Sequence, residues 1–379
     1  MLLTKGFEVE MYTGTPAGEA IGFSGKIADT LPGFVREPDQ RNVEYITPPL
    51  TSYEQLLCAL LKPRLALRHF LQERGSYTLL PGSTLALGGS DYFDRSDPEN
   101  PYHDYIEKTY HTTVVTASIH INIGLSTPDQ IMRACRLLRV EAPLYLALSA
   151  SSPFLAGQVT GSHSSRWQVF PKTPPSVPLF VDHAHYIQWT QEQLALGSMQ
   201  NVRHLWAAVR PNGADRPFDL NRVELRICDL VADPVVILGL AALMEARLLA
   251  MLDDPDGWDP LLAGFTPAEL VEICNQNEQA AARHSLEAEL IHWQTGQTIT
   301  AQAWLEQQLT EAWLLAHPLG FSCFLSPLQR VLAEGNEAQQ WLRQVEDGSS
   351  PAQVYQAAIQ EMQEIERELA ETICHPLLA

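Results

Sequence analysis

The sequence predicts an α+β protein in which an antiparallel sheet is followed by a helical C-terminal third. Before Asp233, short apolar alternations are separated by clusters of Gly, Pro, Asn and Asp, which is typical of strands joined by long loops. After Asp233, long segments rich in Leu, Ala, Glu and Gln follow helical spacing. Because no flexible linker separates these parts, we expect a single domain over 1–379, with a helical region, 234–379, packed on a strand-rich region, 1–233.

Four segments of the strand-rich region alternate apolar and polar residues. They are FEVEM at 7–11, NVEYITPPL at 42–50, SIHINIG at 118–124 and RVELRICDL at 222–230. Successive side chains of a strand point to opposite faces, so each segment has one apolar and one polar face. The polar faces carry Glu8, Glu10, Glu44, Ser118, His120, Asn122, Glu224 and Arg226.

Helical periodicity marks seven longer segments. Two of them, 51–75 and 127–151, lie within the strand-rich region, and the first begins with Thr51 or Ser52 as N-cap and Glu54 in its first turn. The other five make up the helical region, at 235–252, 266–294, 300–317, 326–346 and 351–372.

Composition and charge exclude several classes of partner. The formal net charge of -20 argues against duplex nucleic acid and anionic membranes, whose affinity for proteins comes mostly from basic residues. The most apolar segment, 235–252, contains Glu245 and Arg247, which favours a buried core helix over a membrane span. No basic segment followed by an apolar one opens the chain, so we expect no secretory signal and a cytoplasmic location.

The six cysteines form no recognisable motif. None is part of a C-x-x-C pair or of a Cys/His spacing suited to zinc. A reduced compartment and a role as small buried apolar residues are the simplest interpretation. The six are Cys58, Cys135, Cys228, Cys274, Cys323 and Cys374.

The polar faces concentrate acids together with one His and one Arg. Adjacent carboxylates repel one another and raise one another's pKa, so such a cluster is stable when divalent cations neutralise it. Oxygen ligands favour Mg²⁺ or Mn²⁺, and a single imidazole among them is tolerated. An ordinary amphipathic sheet with one solvated face has the same alternation, and this alternative stays open here.

Searches for other catalytic motifs are negative. The segment IGFSGKI has the wrong spacing for a phosphate-binding P-loop and lacks a hydroxyl residue after Lys26, and no G-x-G-x-x-G, H-E-x-x-H or G-x-S-x-G occurs. His183 and His185 could share a strand face as metal ligands, but a surface role is favoured because no acids surround them. If the protein uses ATP, metals and arginines must hold its phosphates.

The ordered set of motifs resembles the glutamate-cysteine ligases of the cyanobacterial and proteobacterial/plant type, within the glutamine-synthetase-like carboxylate-amine ligases. The resemblance covers most of the chain. It rests on GFEVEMY, EPDQRNVEYITPP, SIHINIG, ALSASSPF followed by SHSSRW, NRVELRICD and NEQAAARHSLEAEL.

The resemblance implies a curved antiparallel sheet, flanked by helices, whose concave face carries two or three divalent ions between ATP and glutamate. It implies two sets of metal ligands and three arginines that hold nucleotide, phosphate or substrate carboxylate. The ligands of one metal are Glu8, His120 and Glu224, those of the other are Glu10, Glu37 and Glu44, and the arginines are Arg166, Arg226 and Arg283. Arginine suits this role because its planar group binds carboxylate and phosphate with two hydrogen bonds.

The implied function is ATP-dependent formation of γ-glutamylcysteine from glutamate and cysteine, the first step of glutathione biosynthesis. The alternatives are a related ligase that accepts a different amine, a metal-binding module of the same fold without turnover, and a metal-dependent hydrolase that needs no ATP. We expect Glu8→Gln or Glu224→Gln to abolish turnover with little loss of folding, since each removes a ligand charge without changing shape.

Overall fold

The computed structural model describes residues 2–374, with side chains through Thr372. Its strands are β1 Lys5–Gly14, β2 Phe34–Arg36, β3 Asn42–Ile46, β4 Thr78–Leu80, β5 Ile119–Gly124, β6 Phe154–Leu155, β7 Gln158–Val159, β8 Val209–Asn212, β9 Arg222–Leu225, β10 Glu289–Ile291 and β11 Thr298–Thr300. Its α-helices are α1 Ser24–Thr30, α2 Tyr53–Gln72, α3 Pro101–Tyr110, α4 Pro128–Ser149, α5 Ser165–Val169, α6 His183–Ala195, α7 Pro234–Asp253, α8 Pro267–His284, α9 Ala301–Leu319, α10 Ser326–Glu334, α11 Glu337–Glu346 and α12 Pro351–Leu369.

Seven strands form one antiparallel sheet in the order β2-β3-β1-β5-β9-β8, and β4 also pairs with β1. The four predicted strands are β1, β3, β5 and β9, and they lie side by side. Their register places Glu8 opposite His120 and Glu10 opposite Glu44. Residues directly opposite in such a ladder have Cβ atoms about 5 Å apart. The pairing therefore brings polar side chains from separate segments into contact.

Two of the predicted helices are wrong in extent. The segment 266–294 is helical only to His284, because Ser285 adopts a positive φ of 44° and the chain then enters the β10-β11 hairpin. The segment 326–346 is divided into α10 and α11 at Gly335, whose φ of 87° is easy for glycine alone. The Asn336 side chain caps the new helix by accepting a hydrogen bond from the backbone N–H of Gln339.

The remaining predicted helices correspond to α2, α4, α7, α9 and α12, with ends shifted by a few residues. Four shorter helices, α1, α3, α5 and α6, were not predicted. His183 and His185, considered above as neighbours on one strand face, lie instead in the first turn of α6. There the Asp182 side chain accepts a hydrogen bond from the backbone N–H of His185.

The apolar face of the sheet packs against helices that are largely buried, such as α4. In α4 nearly every residue from Ile131 to Ser149 is buried, as expected for a helix surrounded by other elements. One cluster of buried apolar residues includes members of the sheet, such as Val9 and Ile121, and members of the helical region, such as Leu243 and Met362. The hydrophobic core thus continues from the sheet into the C-terminal helices.

By length and composition, helix α7 is apolar enough to cross a membrane. However, 78% of its apolar 18-residue stretch is buried inside the protein. Its two interior charges are paired within the core. Glu245 accepts a hydrogen bond from the Lys5 ammonium at 2.6 Å, and Arg247 contacts Glu141 at 2.7 Å. Helix α7 is therefore a buried core helix, as the sequence predicted.

The cysteines follow the sequence prediction in part. Cys135, Cys228 and Cys274 are buried and free. Cys323 is free but exposed, so the predicted burial is wrong for it, and Cys58 is buried but disulfide-bonded, so the predicted reduced state is wrong for it. The Cys374 side chain lies outside the described residues.

Candidate active site

One face of the large sheet carries almost all of its charged side chains, and we refer to it as the polar face. It is formed by alternate residues of β1, β3, β5, β9 and β8, so each side chain is placed by the period-two geometry of its own strand. The polar face includes Glu8, Glu10, Glu44, Ser118, His120, Asn122, Arg210, Asn212, Arg222, Glu224 and Arg226.

The first predicted metal group is assembled on the polar face. Glu8, His120 and Glu224 each offer a ligand atom, and these atoms lie within 4.8 Å of one another. His120 Nδ1 is 3.1 Å from a Glu8 oxygen and 3.7 Å from a Glu224 oxygen. His120 Nε2 lies 3.0 Å from the Ser118 hydroxyl, which orients the ring. Two carboxylates and one imidazole form a donor set that fits Mg²⁺ or Mn²⁺.

The second predicted metal group is also assembled. Ligand atoms of Glu10, Glu37 and Glu44 lie within 4.8 Å of one another. Glu10 and Glu44 are directly opposite in the β1-β3 ladder, whereas Glu37 follows β2 in a loop. The loop is held in place because the Glu37 N–H donates to Ser24 Oγ at 3.0 Å and the Glu37 carbonyl accepts from Ser96 Oγ.

Two acids of the second group, Glu37 and Glu44, form no direct ion pair with a Lys or Arg side chain among the described residues. Among residues 2–374, no Lys or Arg nitrogen lies within 4.0 Å of the Glu37 or Glu44 carboxylate. Burial and the charge of Glu10 raise the pKa of Glu37 to about 8. Burial and the charges of Glu37, Glu8 and Glu10 raise the pKa of Glu44 well above its usual range. Carboxylates arranged in this way fit a divalent cation, which would supply positive charge.

Glu224 is the most strongly paired acid of the polar face. Its carboxylate accepts two hydrogen bonds from Arg210, at 2.7 and 3.0 Å, one from Asn212 at 2.6 Å, and another from Arg226. Burial opposes its ionisation, but Arg210, Arg226 and His120 hold the pKa of Glu224 well below its usual range. Glu224 is therefore ionised at neutral pH.

Arg210 and Asn212 belong to the polar face and contact Glu224, and the sequence interpretation missed both. They lie on β8, where Val209 and Pro211 occupy the opposite positions. The sequence VRPN alternates apolar and polar residues, but its proline argues against a central strand, because proline in sheets is confined to edge strands and bulges. In the structure β8 lies at one edge of the sheet.

Arg226 lies where the sequence interpretation placed it, directly after β9 and in contact with Glu224. Its Nη1 also lies 3.2 Å from His120 Nδ1, so the guanidinium lies against the first metal group. Arg166 lies in α5 and is 1% exposed. It donates to the backbone carbonyls of Ile227 at 2.9 Å and Arg226 at 3.1 Å, and so braces the backbone that carries Arg226.

Arg283 lies in the last turn of α8 with an exposed side chain. Its backbone carbonyl accepts a hydrogen bond from the His163 N–H at 3.3 Å, and the preceding carbonyl, of Ala282, accepts one from Ser164 at 2.8 Å. The end of α8 is thus joined to the segment that leads into Arg166. Among the predicted site residues, the structure brings together the six acid and histidine ligands and Arg226.

A sequence model of glutamate-cysteine ligase family 2 matches residues 4–372. The chain belongs to this family. The chain is similar to a Gloeobacter violaceus protein named "Putative glutamate--cysteine ligase 2", which is 29% identical over 58% of this chain and 57% of its own length. A Rubrobacter xylanophilus protein named "Putative glutamate--cysteine ligase 2-3" is 27% identical over 73% of this chain and 72% of its own length. The alignment with the first of these therefore spans little more than half of the relative.

Solved structures share the fold of this family 2 chain. A bifunctional glutathione synthetase from Pasteurella multocida covers 98% of the chain and 53% of its own length, with a TM-score of 0.75 and 17% identity. A glutamate–cysteine ligase from Francisella tularensis, solved in complex with AMP, covers 99% of the chain and 94% of its own length, with a TM-score of 0.71 and 13% identity. The predicted α+β ligase fold is confirmed.

Proposed function

We propose that this family 2 protein is an ATP-dependent ligase that joins the γ-carboxylate of glutamate to the amine of cysteine, giving γ-glutamylcysteine. It would act in the cytoplasm, as the first step of glutathione biosynthesis. The observation that carries the proposal is the polar face, where two acid groups that fit divalent cations lie beside Arg226. Membership in a family of glutamate-cysteine ligases supports the choice of substrates.

The reaction requires activation because a carboxylate is a poor acyl donor. An oxygen of the glutamate γ-carboxylate would form a bond to the γ-phosphorus of ATP, and the bond from that phosphorus to ADP would break. The cysteine nitrogen would then form a bond to the carbonyl carbon of the acyl phosphate while the bond to phosphate breaks. The cysteine nitrogen begins as an ammonium group with three protons, loses two of them to solvent and keeps one as the amide N–H.

The side chains of the polar face would contribute positioning and charge. Glu8, His120 and Glu224 would hold one ion, and Glu10, Glu37 and Glu44 the other. Bound Mg²⁺ or Mn²⁺ neutralises phosphate charge and polarises phosphoryl oxygens. Arg226 presents a guanidinium next to the first group, where it would hold a phosphate or the substrate carboxylate. Arg166 would keep Arg226 in place through the β9 backbone.

The test is phosphate release from ATP with Mg²⁺ and glutamate, with and without cysteine, coupled to mass detection of the dipeptide. We expect cysteine-dependent phosphate release, matched one for one by γ-glutamylcysteine. Glu10→Gln should remove at least 99% of this rate, whereas the exposed Glu364→Gln on α12 is the matched control and should retain it.

The same assay separates the alternatives. Turnover with another amine from a panel, but not with cysteine, would identify a related ligase of different specificity. If the protein instead hydrolyses a substrate in the presence of Mg²⁺ and the absence of ATP, a metal-dependent hydrolase is favoured. A folded protein that binds Mg²⁺ and releases no phosphate with any amine would contradict the ligase function and favour a module without turnover.

A further inference from the structure

Arg216 is a half-buried cation, and one of its guanidinium nitrogens has no partner among the described residues. It lies in the loop 213–221, which joins β8 to β9, and its Nη1 atom is buried and has no hydrogen-bond partner. No carboxylate among residues 2–374 forms an ion pair with its guanidinium within 4.0 Å. Burying a charged nitrogen in this way is costly, so an ordinary structural role does not explain its position.

The loop offers Arg216 two carboxylates of its own, and it pairs with neither. Asp215 and Asp219 are exposed, and they close a tight turn in which the Asp215 carbonyl accepts hydrogen bonds from the N–H groups of Phe218, at 2.8 Å, and Asp219, at 2.7 Å. His183 of α6 anchors the turn through the Pro217 carbonyl at 2.8 Å. A surface arginine would pair with these nearby acids, whereas the buried Arg216 Nη1 has no hydrogen-bond partner.

The loop between the paired strands β8 and β9 places Arg216 close to the charged groups of these strands. The charged groups that act on it most strongly are Arg210, Glu224 and Arg226, together with the Tyr186 hydroxyl. Burial and the charge of Arg210 lower the pKa of Arg216 to about 10, so it stays charged at neutral pH. Three guanidiniums therefore meet at this end of the sheet, and Glu224 is the carboxylate paired with two of them.

The polar face is thus divided by charge along the strand order. The acids Glu10, Glu37 and Glu44 occupy the side of β1, β3 and β2, whereas arginines are concentrated on β9, β8 and their connecting loop. A nucleotide complexed with a divalent cation has the matching pattern, since the cation suits the acidic side and free phosphate oxygens suit guanidiniums.

We propose that Arg216 binds a phosphate group of a nucleoside triphosphate at the β8-β9 end of the polar face. This assignment rests on the proposed function for the identity of the anion. A phosphate oxygen would accept the hydrogen bond for which the buried Arg216 Nη1 has no partner in the described residues.

The experiment compares the 379-residue chain with its Arg216→Gln and Arg216→Lys variants. Calorimetry measures binding of Mg-ATP, Mg-ADP and adenosine, and thermal unfolding is recorded without ligand. For Arg216→Gln we expect at least tenfold weaker binding of Mg-ATP, unchanged binding of adenosine, and an unfolding temperature equal to or above that of the parent. Arg216→Lys should recover part of the loss. The control is Arg343→Gln, which removes an exposed charge on α11 and should bind Mg-ATP like the parent.

Three outcomes would overturn the inference, and they differ in what they say of the proposed function. If the parent binds Mg-ATP and Arg216→Gln binds it equally well, the phosphate assignment alone fails. If Arg216→Gln loses binding together with a lower unfolding temperature, and Lys restores neither, the residue is structural. If the parent protein does not bind Mg-ATP, the proposed function fails as well.

Discussion

At the scale of single residues, the two proposed metal ligands Glu8 and Glu224 differ in their burial and in the protein side chains with which they interact. Glu224 is fully buried and compensates Arg210 and Arg226. Glu8 is 19% exposed in its side chain and interacts with His120 at 3.1 Å and with the Asn122 amide at 3.2 Å. The sequence interpretation treated the two alike, but the structure gives only Glu224 a central place in a buried ion-pair network.

We therefore expect different costs of folding for two variants that both lose activity. Glu224→Gln should lower the free energy of unfolding by about 3–5 kcal/mol, because it leaves buried guanidiniums uncompensated. Glu8→Gln should lower it by about 1 kcal/mol or less, since a glutamine can keep neutral hydrogen bonds to the same neighbours. Urea unfolding and Mg²⁺-dependent turnover measure the two effects. Equal stability of the two variants, or near-normal turnover of either at saturating Mg²⁺, would contradict this assignment.

At the scale of elements, a buried ion pair connects β1 to α7. The Lys5 ammonium and the Glu245 carboxylate are both 0% exposed in their side chains and lie 2.6 Å apart. The Tyr53 hydroxyl of α2 and the Leu3 N–H also donate to Glu245. Since β1 carries Glu8 and Glu10, this network fixes the strand that contributes to both metal groups.

A double-mutant cycle at Lys5 and Glu245 tests this fastening. Removing either charge alone, with Lys5→Met or Glu245→Leu, should cost about 3–5 kcal/mol of unfolding free energy, because the remaining charge is buried and unpaired. The double variant should cost clearly less than the sum of the two. The exposed pair Lys108–Asp104, 2.7 Å apart on α3, is the matched control and should contribute less than about 1 kcal/mol. Strictly additive effects at Lys5 and Glu245 would show that the pair does not act as a unit.

At the scale of the whole molecule, the hydrophobic core does not stop at the composition change near Asp233. The same cluster of buried residues contains Ile119 of the sheet, Leu240 of α7, Trp304 of α9 and Ile359 of α12. Helix α4, from the strand-rich region, packs against α7, α8 and α9. We propose that the chain is a single domain, because neither region could bury its apolar surface without the other.

A single domain should unfold in one cooperative step. Tryptophans occur in both regions, for example Trp167 and Trp304, so fluorescence reports on both, while far-UV circular dichroism follows the helices. We expect the two signals to give the same midpoint in urea. We also expect a fragment of residues 1–233 to remain unfolded when expressed alone. Separate midpoints together with a folded fragment would establish two domains.

Local geometry explains which features could be predicted from the sequence. The alternation of a strand is a property of its own backbone, so the shared face of Glu8 and Glu10, and that of Glu224 and Arg226, followed from spacing alone. The same holds for α2, α4, α7, α9 and α12, whose period, caps and prolines are local signals. The family resemblance then added Glu37, which no spacing rule assigns to a strand face.

Tertiary structure decided the features that depend on partners distant in sequence. Strand order and register brought Glu10 opposite Glu44, and the pairing of β8 with β9 set Arg210 against Glu224. Pairing of β10 with β11 ended α8 at His284, where helical periodicity alone predicted continuation. The inward position of Arg166 and the unpaired Nη1 atom of Arg216 likewise depend on what surrounds them. A sequence specifies which side chains share a face through short-range backbone geometry, whereas their partners and their burial are set only when distant segments pack together.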